Sequence, residues 1–139
     1  MILFFDKTVG TIVPRTLRWR PLKFPVHVEY HELHFDTHEQ DDVWLPQIGE
    51  WGWTVIGHDS SYHLESTELA AIKQYSMGCF YLWGSKHKRW DKLQCFARAY
   101  NRIVEAEETT SKPFIYRVSQ TGRLDTGRNT INSLGVSRK

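Results

Sequence analysis

The sequence has few cysteines and no long apolar run. Its 139 residues include two cysteines, Cys79 and Cys95, whose separation matches no metal-binding or redox motif, so both are expected to be small core residues. No stretch approaches the roughly 18 apolar residues of a membrane-spanning helix. Asp6 and Lys7 interrupt the apolar N-terminal run too early for a signal peptide. We therefore expect a cytoplasmic protein without a membrane partner.

A strong net charge is also missing. The formal net charge of +2 is too small to favour or exclude nucleic acid as a partner. With 40% hydrophobic and 24% charged residues, the composition is that of a globular protein rather than a disordered one. The length fits one domain with its own core, and the sequence shows neither internal repeats nor an interdomain linker.

Apolar runs and helical patterns alternate along the chain. Strands are predicted over residues 2–6, 26–31, 53–57, 79–83 and 114–118. Helices are predicted around 12–19, from Asp41 or Asp42 to Trp51, from Ser66 or Thr67 to Met77, and over about 88–107. This alternation predicts an α/β domain with a mainly parallel sheet. Residues 32–40 read as a loop, and the polar residues 125–139 as a flexible tail or one that lies on a partner.

Two details of the helix that ends at Trp51 follow from its sequence. An aspartate, Asp41 or Asp42, is expected to occupy its N-cap. Pro46 is tolerable only if the helix begins late, so that the proline falls in the first turn.

Two of the apolar runs stop at an aspartate, Asp6 after the first strand and Asp59 after the third. A further acidic pair, Asp41 and Asp42, lies between them at the start of a helix. In open parallel sheets the ligand crevice lies outside the carboxyl ends of the strands. Carboxylates gathered there would repel one another unless a cation lay among them. The pattern thus predicts a divalent-metal site and phosphate-transfer chemistry, for which Asp6, Asp41 and Asp59 would suffice; carboxylate ligands suit Mg²⁺ or Mn²⁺.

Basic residues follow the first aspartate. Arg15, Arg18 and Arg20 are placed to steer a phosphate toward the metal. His58, next to Asp59, could contact phosphate or orient a carboxylate. The plainer interpretation is that Asp6, Asp59 and His58 simply end strands.

Four histidines suggest a different metal. His27, His31, His34 and His38 lie close together, which superficially indicates zinc. The spacing of His31 and His34 is one residue short of the zinc-protease helix motif. A solvated loop with incidental histidines is the better interpretation, and a zinc hydrolase remains a third hypothesis.

The order and spacing of the acidic motifs resemble those of PIN-domain nucleases. Asp41-x-x-Trp44-Leu45, followed by the strand that ends at Asp59, resembles the third and fourth acidic motifs of that family. Phe4-Phe5-Asp6 resembles the first motif. The strand 113–118, with Gly122 soon after, resembles the closing strand of the small PIN-like proteins related to VapC toxins.

This resemblance implies a three-layer α/β/α PIN-like domain over residues 1–124 with a mainly parallel central sheet. It implies a Mg²⁺- or Mn²⁺-dependent endoribonuclease that acts on RNA as the toxin of a type II toxin–antitoxin system, with a cognate antitoxin as partner. Asp6, Asp41 and Asp59 would bind the metal, with Asp42 in place of Asp41 if the register is shifted by one. Because family members often dimerise, a homodimer is also expected.

Two departures from the family pattern motivate an alternative. Gly57 stands where the family usually has Thr or Ser. The fourth acidic residue has no clear position; Glu68 is one candidate, and Glu32 and Asp36 are others. The alternative is a PIN-like module that has lost catalysis and binds protein or RNA.

Overall fold

The computed structural model describes residues 1–59, 66–83 and 88–125, with side chains at all of these positions except 41, 42, 59, 66 and 83. Within these ranges the chain forms six strands and four α-helices. The strands are β1 (Ile2–Phe5), β2 (His27–Tyr30), β3 (Thr54–Asp59), β4 (Gly78–Trp83), β5 (Phe114–Val118) and β6 (Leu124–Asp125). The helices are α1 (Ile12–Leu17), α2 (Asp41–Trp51), α3 (Ser66–Gln74) and α4 (Arg89–Thr109).

The strands form a single sheet in the order β2-β1-β3-β4-β5-β6. The first five are parallel, and β6 pairs with β5 in the antiparallel sense. Adjacent β1 and β3 align Phe5 with Ile56. Their carboxyl ends therefore meet at the same edge of the sheet, as the sequence predicts for the strands that carry Asp6 and Asp59.

Helices cover both faces of this sheet because the buried strands alternate their apolar side chains between them. Leu3 and Phe5 of β1 join the core that contains Phe96 of α4. Phe4, between them, joins the opposite core, which contains Trp44 of α2 and Ile72 of α3. The predicted three-layer α/β/α architecture is confirmed.

Helix α2 departs from its predicted start. Gln40 occupies the N-cap and Asp41 is the first helical residue, so the expected aspartate cap is wrong. Pro46 lies inside the helix, and the expected late start is wrong as well. The proline removes one helical hydrogen bond, a loss that the burial of Trp44, Leu45 and Ile48 against the sheet offsets.

Two further segments differ from the sequence-based prediction. A 3₁₀ turn, His31–Leu33, opens the expected loop before α2. Strand β6 is not predicted from the sequence, and it includes Asp125, the first residue of the expected tail. The rest of that tail, 126–139, lies outside the described residues. None of the helices in the described part of the chain has the length and apolar character needed to cross a membrane.

The contact between α2 and the turn that follows α3 depends on Gly49. A Cβ atom at this position would lie 2.6 Å from Tyr75 Cβ and 3.1 Å from Met77 Sδ. Gly49→Ala is therefore expected to destabilise the fold by about 1–3 kcal/mol through overpacking, although alanine ordinarily favours a helix over glycine. Chemical denaturation measures the change, with exposed Glu50→Ala on the same helix as control. A more stable Gly49→Ala protein would contradict this close packing.

Candidate active site

Strand β1 places Asp6 at the carboxyl edge of the sheet. The strand is apolar and Leu3, Phe4 and Phe5 are fully buried, so the first polar side chain after them is carried to the end of the core. The backbone N–H of Asp6 donates to Ile56 O at 2.9 Å, which continues the pairing with β3. The Asp6 side chain is only 7% exposed. A carboxylate in such a place needs hydrogen-bond donors or a cation beside it.

Thr8 supplies two of these donors. Its backbone N–H donates to Asp6 Oδ1 at 2.7 Å, and its hydroxyl donates to the same oxygen. The hydroxyl oxygen also accepts a hydrogen bond from the backbone N–H of His58 at 2.9 Å. One threonine side chain thus orients the Asp6 carboxylate and joins the ends of β1 and β3. The acidic motifs did not point to this residue; the only local signal is a hydroxyl two residues after an aspartate, a common turn pattern.

Lys7 ties the segment before α2 to the same edge. Its ammonium group donates to the backbone carbonyls of Thr37 and Glu39, each at 3.1 Å. The chain that leads into α2 is therefore fastened next to Asp6. The start of α2, where Asp41 and Asp42 lie, follows two residues after Glu39. Their side chains, like that of Asp59, lie outside the part of the chain whose side chains the structure describes.

Strand β3 ends beside Asp6 and leaves no room for a side chain at Gly57. A Cβ atom there would lie 2.6 Å from Tyr81 Cε1 and 2.9 Å from Asp6 Oδ2. The Tyr81 ring of β4 thus occupies the space that a Thr or Ser at position 57 would need. Asp59 is the final residue of β3, and its backbone pairs with Trp83 of β4.

Tyr81 links Asp6 to Glu68 of α3. Burial raises the pKa of Tyr81, and the neighbouring Cys79 thiol and the charges of Asp6 and Glu68 raise it further. The phenol therefore stays protonated. Helix α3, which carries Glu68, packs on the same face of the sheet as Tyr81, because its Ala71 and Ile72 join the core that contains Tyr81. Asp6 lies on that face too, since Asp6 Oδ2 and the Tyr81 ring both lie next to Gly57. Burial also raises the pKa of the Cys79 thiol, which therefore stays protonated and unreactive.

Lys92, on the first turns of α4, supplies a positive charge at the rim of the site around Asp6. Its ammonium nitrogen lies 3.5 Å from Thr8 O, next to the residue that orients Asp6. Burial lowers the pKa of Lys92. Nothing in the sequence distinguished Lys92 from the other charged residues of this helix, because its closeness to Thr8 arises from helix packing.

The predicted basic and histidine residues have different surroundings. Arg15 is exposed in the last turn of α1. Arg18 lies along the outer strand β2, where it donates to Val28 O at 2.5 Å and pairs with Glu29 at 3.7 Å. The His58 side chain is buried, and strand alternation places it on the face opposite Gly57. Phosphate contact by these three side chains stays a prediction.

Three of the four clustered histidines are exposed, as the sequence suggests, namely His27, His34 and His38. His31 is fully buried, and its ring donates from Nε2 to Asp36 O at 2.9 Å. His27 and His34 both bond to the Glu29 carboxylate, at 2.5 and 2.7 Å. Partial burial alone would raise the pKa of Glu29, but these two histidines and Arg18 lower it overall. His31 is therefore committed to packing, and His27 and His34 to pairing with Glu29.

The side chains that the structure describes include no group of three or more His, Cys, Asp or Glu arranged to hold a metal ion. Three of the four predicted ligands, Asp41, Asp42 and Asp59, are outside that set. The two described carboxylates on this side, Asp6 and Glu68, are oxygen donors of the class that Mg²⁺ and Mn²⁺ bind. The donor chemistry therefore fits the predicted metal.

The fold is that of a three-layer α/β protein, with a mainly parallel sheet between two layers of helices. The oriented, buried Asp6 carboxylate lies at the carboxyl edge of the sheet, where such folds bind their ligands. The family profile of the PIN-like domain matches residues 1–84, and the chain belongs to this family. PIN domains are generally nucleases and typically use divalent metals. No curated protein and no solved structure matches the chain.

Removal of the Thr8 hydroxyl tests the bridge between the two strand ends. Thr8→Val keeps the shape of the side chain but removes a donor to Asp6 and the acceptor of the His58 N–H. We expect a loss of about 1.5–3 kcal/mol in the free energy of unfolding, measured by urea denaturation at neutral pH. Thr8→Ser should retain most of the stability. Thr109→Val, which removes an exposed hydroxyl bonded to Glu105 O, is the control, and equal losses in both valine variants would contradict a special role for Thr8.

Proposed function

We propose that the protein is a metal-dependent endoribonuclease, as membership of the PIN-like family suggests. The observation that supports this most is the Asp6 carboxylate, held by Thr8 at the edge where β1 and β3 end together. A nuclease of this kind needs carboxylates at a fixed position where they can hold a cation beside a phosphodiester. Asp6 has the fixed orientation for this.

The proposed cofactor is Mg²⁺ or Mn²⁺. Asp6 and Asp59, with Asp41 or Asp42 from the start of α2 and Glu68 from α3, would hold it. A divalent cation supplies charge neutralisation for the phosphate and makes a bound water more acidic. Asp6 is the ligand whose placement is described in full. The other acids are proposed from their backbone positions at the same edge or, for Glu68, from the packing of α3 on the face of the sheet that carries Asp6.

The residues around Asp6 would divide the remaining tasks. Thr8 holds the carboxylate in one orientation, so that no rearrangement is needed when substrate binds. Lys92 offers a positive charge at the rim, where a phosphate oxygen of the RNA backbone would approach. Tyr81 stays neutral and fills the floor of the site, which keeps the space beneath Asp6 apolar.

The biological role that we propose is that of a toxin in a type II toxin–antitoxin system. The likeness of the closing strand, β5 with Gly122, to VapC-related proteins supports this role. The strand forms as predicted, and Gly122 adopts a positive φ of 88° with Arg98 packed against it. A cognate antitoxin, encoded next to the toxin gene, would be the protein partner, and a homodimer the functional assembly.

Asp6→Asn tests the central claim. The variant should lose more than about 100-fold in RNA cleavage and bind Mn²⁺ more weakly, because even residues that only support a metal ligand contribute about 10–100-fold. The measurements are cleavage of a labelled RNA and Mn²⁺ titration by calorimetry. Glu108→Gln, which removes an exposed carboxylate near the end of α4, serves as control. Unchanged cleavage and Mn²⁺ binding in Asp6→Asn would refute the proposal, and Mn²⁺ binding without RNA cleavage by the parent protein would favour the inactive binding module.

Glu68→Gln identifies the fourth acid. Because Glu68 lies in the first turn of α3, which packs on the face of the sheet that carries Asp6, we expect its loss to weaken Mn²⁺ binding by about 10-fold or more. Glu32→Gln and Asp36→Asn alter the two competing candidates and should leave the affinity unchanged. If Glu32→Gln or Asp36→Asn lowered the affinity for Mn²⁺ and Glu68→Gln did not, the substituted residue would be the fourth acid instead of Glu68.

A further inference from the structure

A concave surface lies on the outer edge of the sheet. It is formed by the end of α1, the 3₁₀ turn Arg20–Leu22 that follows, and the start of β2. Its volume is about 540 Å³. The lining residues that carry charge or an aromatic ring are Arg18, Trp19, Arg20, Lys23, Phe24 and His27. We call this surface the α1–β2 cleft.

The α1–β2 cleft is positively charged. Its lining within the described chain contains three cations and no acidic residue. Arg18 is partly neutralised, since it pairs with Glu29 from outside the cleft. Arg20 and Lys23 are exposed, and neither makes a side-chain hydrogen bond or ion pair with any residue that the structure describes. Two positive charges therefore remain open to an anionic ligand.

Trp19 presents an open aromatic face in the same cleft. Its side chain is 63% exposed, and its ring stacks on no other aromatic ring of the described chain. Phe24, on the other wall, is anchored in the core, with its ring 5.2 Å from that of Tyr100 and 6.1 Å from that of Phe96. The backbone holds Trp19 in this place. Pro21 follows in the 3₁₀ turn, which ends at Lys23 in the left-handed region with φ 55°.

An exposed indole flanked by unpaired cations is what single-stranded nucleic acids require. Bases of any sequence can stack on an aromatic ring, and lysine and arginine contact the phosphates. We propose that the α1–β2 cleft binds a single-stranded RNA segment, with one base stacked on Trp19 and the neighbouring phosphates at Arg20 and Lys23. An acidic peptide would use the two cations, but its carboxylates would leave the indole face without a stacking partner.

The cleft is separate from the site at Asp6. His27, one of its lining residues, pairs with Ile2 at the beginning of β1, whereas Asp6 follows the end of that strand. At about 3.3 Å per residue, the two positions lie about 13 Å apart along the strand direction. That the bound strand is also the substrate rests on the proposed function. In that case the cleft would hold the RNA at a distance from the bond that is cleaved.

Binding of a fluorescein-labelled ten-nucleotide oligouridylate, followed by anisotropy, tests the stacking contact. EDTA is present throughout, so that binding does not depend on the metal or on cleavage. Trp19→Ala should raise the Kd about fivefold or more, the effect of losing one stacked base. Trp90→Ala removes a tryptophan of equal exposure, 64%, and should leave the Kd unchanged. Equal effects of the two variants, or none from Trp19→Ala, would overturn the proposal.

The salt dependence of the same binding tests the phosphate contacts. Each phosphate contact to a single strand contributes about 0.7 to the slope of log affinity against log salt concentration. The double variant Arg20→Gln with Lys23→Gln should therefore lower that slope by about 1.4. Lys73→Gln with Arg123→Gln removes two exposed charges elsewhere and should leave it unchanged. Because all four positions are exposed, the thermal unfolding of each variant should match that of the parent protein.

Two further outcomes distinguish RNA binding in the cleft from acidic-peptide binding and from the proposed nuclease function. A polyglutamate peptide that bound as tightly as the oligouridylate, and lost affinity in the same variants, would make the cleft an acidic-peptide site and overturn the proposal. Oligouridylate binding that depends on Trp19 supports the RNA site even if the protein cleaves no RNA with Mn²⁺. In that case the nuclease function fails and the binding site stands.

Discussion

The buried carboxylate of Asp6 imposes the main constraint on this structure. A charge that is almost withdrawn from water requires donors at fixed positions, because burial without them costs several kcal/mol. Thr8 provides donors from its own backbone and side chain, and its hydroxyl reaches the His58 N–H of the neighbouring strand. The register of β1 against β3 and the position of the acidic edge are therefore coupled. A shift of either strand would break the hydrogen bonds that hold the charge.

Packing explains the departure from the family pattern at position 57. The space that a Thr or Ser side chain would occupy is filled by the buried Tyr81 ring, whose Cε1 would lie 2.6 Å from a Cβ atom at position 57. Glycine and tyrosine on adjacent strands thus form a complementary pair. The missing hydroxyl at 57 has a counterpart in Thr8, which donates to Asp6 from the other strand. Gly57 is for this reason weak support for a loss of catalysis.

The sequence predicted the parts of the fold that depend on local patterns. Strands β1 and β3, helix α4 and the edge position of Asp6 follow from apolar runs, helical periodicity and the geometry of parallel sheets. Thr8, Lys7 and Lys92 could not be predicted as parts of the site, because their roles depend on hydrogen bonds across β1, α4 and the loop before α2. For the same reason, the sequence did not predict the burial of His31 or the two-residue strand β6. Neither has a periodic signal of its own, and tertiary contacts alone stabilise them.

The net charge of +2 conceals a separation of charge along the sheet. The Asp6 carboxylate lies at the carboxyl edge, where Thr8 and Lys92 lie beside it, and the unpaired cations Arg20 and Lys23 lie at the opposite end. A small total charge is therefore compatible with a strong local attraction for a polyanion, since screening limits each patch to about 8 Å at physiological salt. Over the distance between the two patches, each acts on its own part of a bound strand. A cationic anchor at one end and a carboxylate site at the other would give such a strand a defined direction across the sheet.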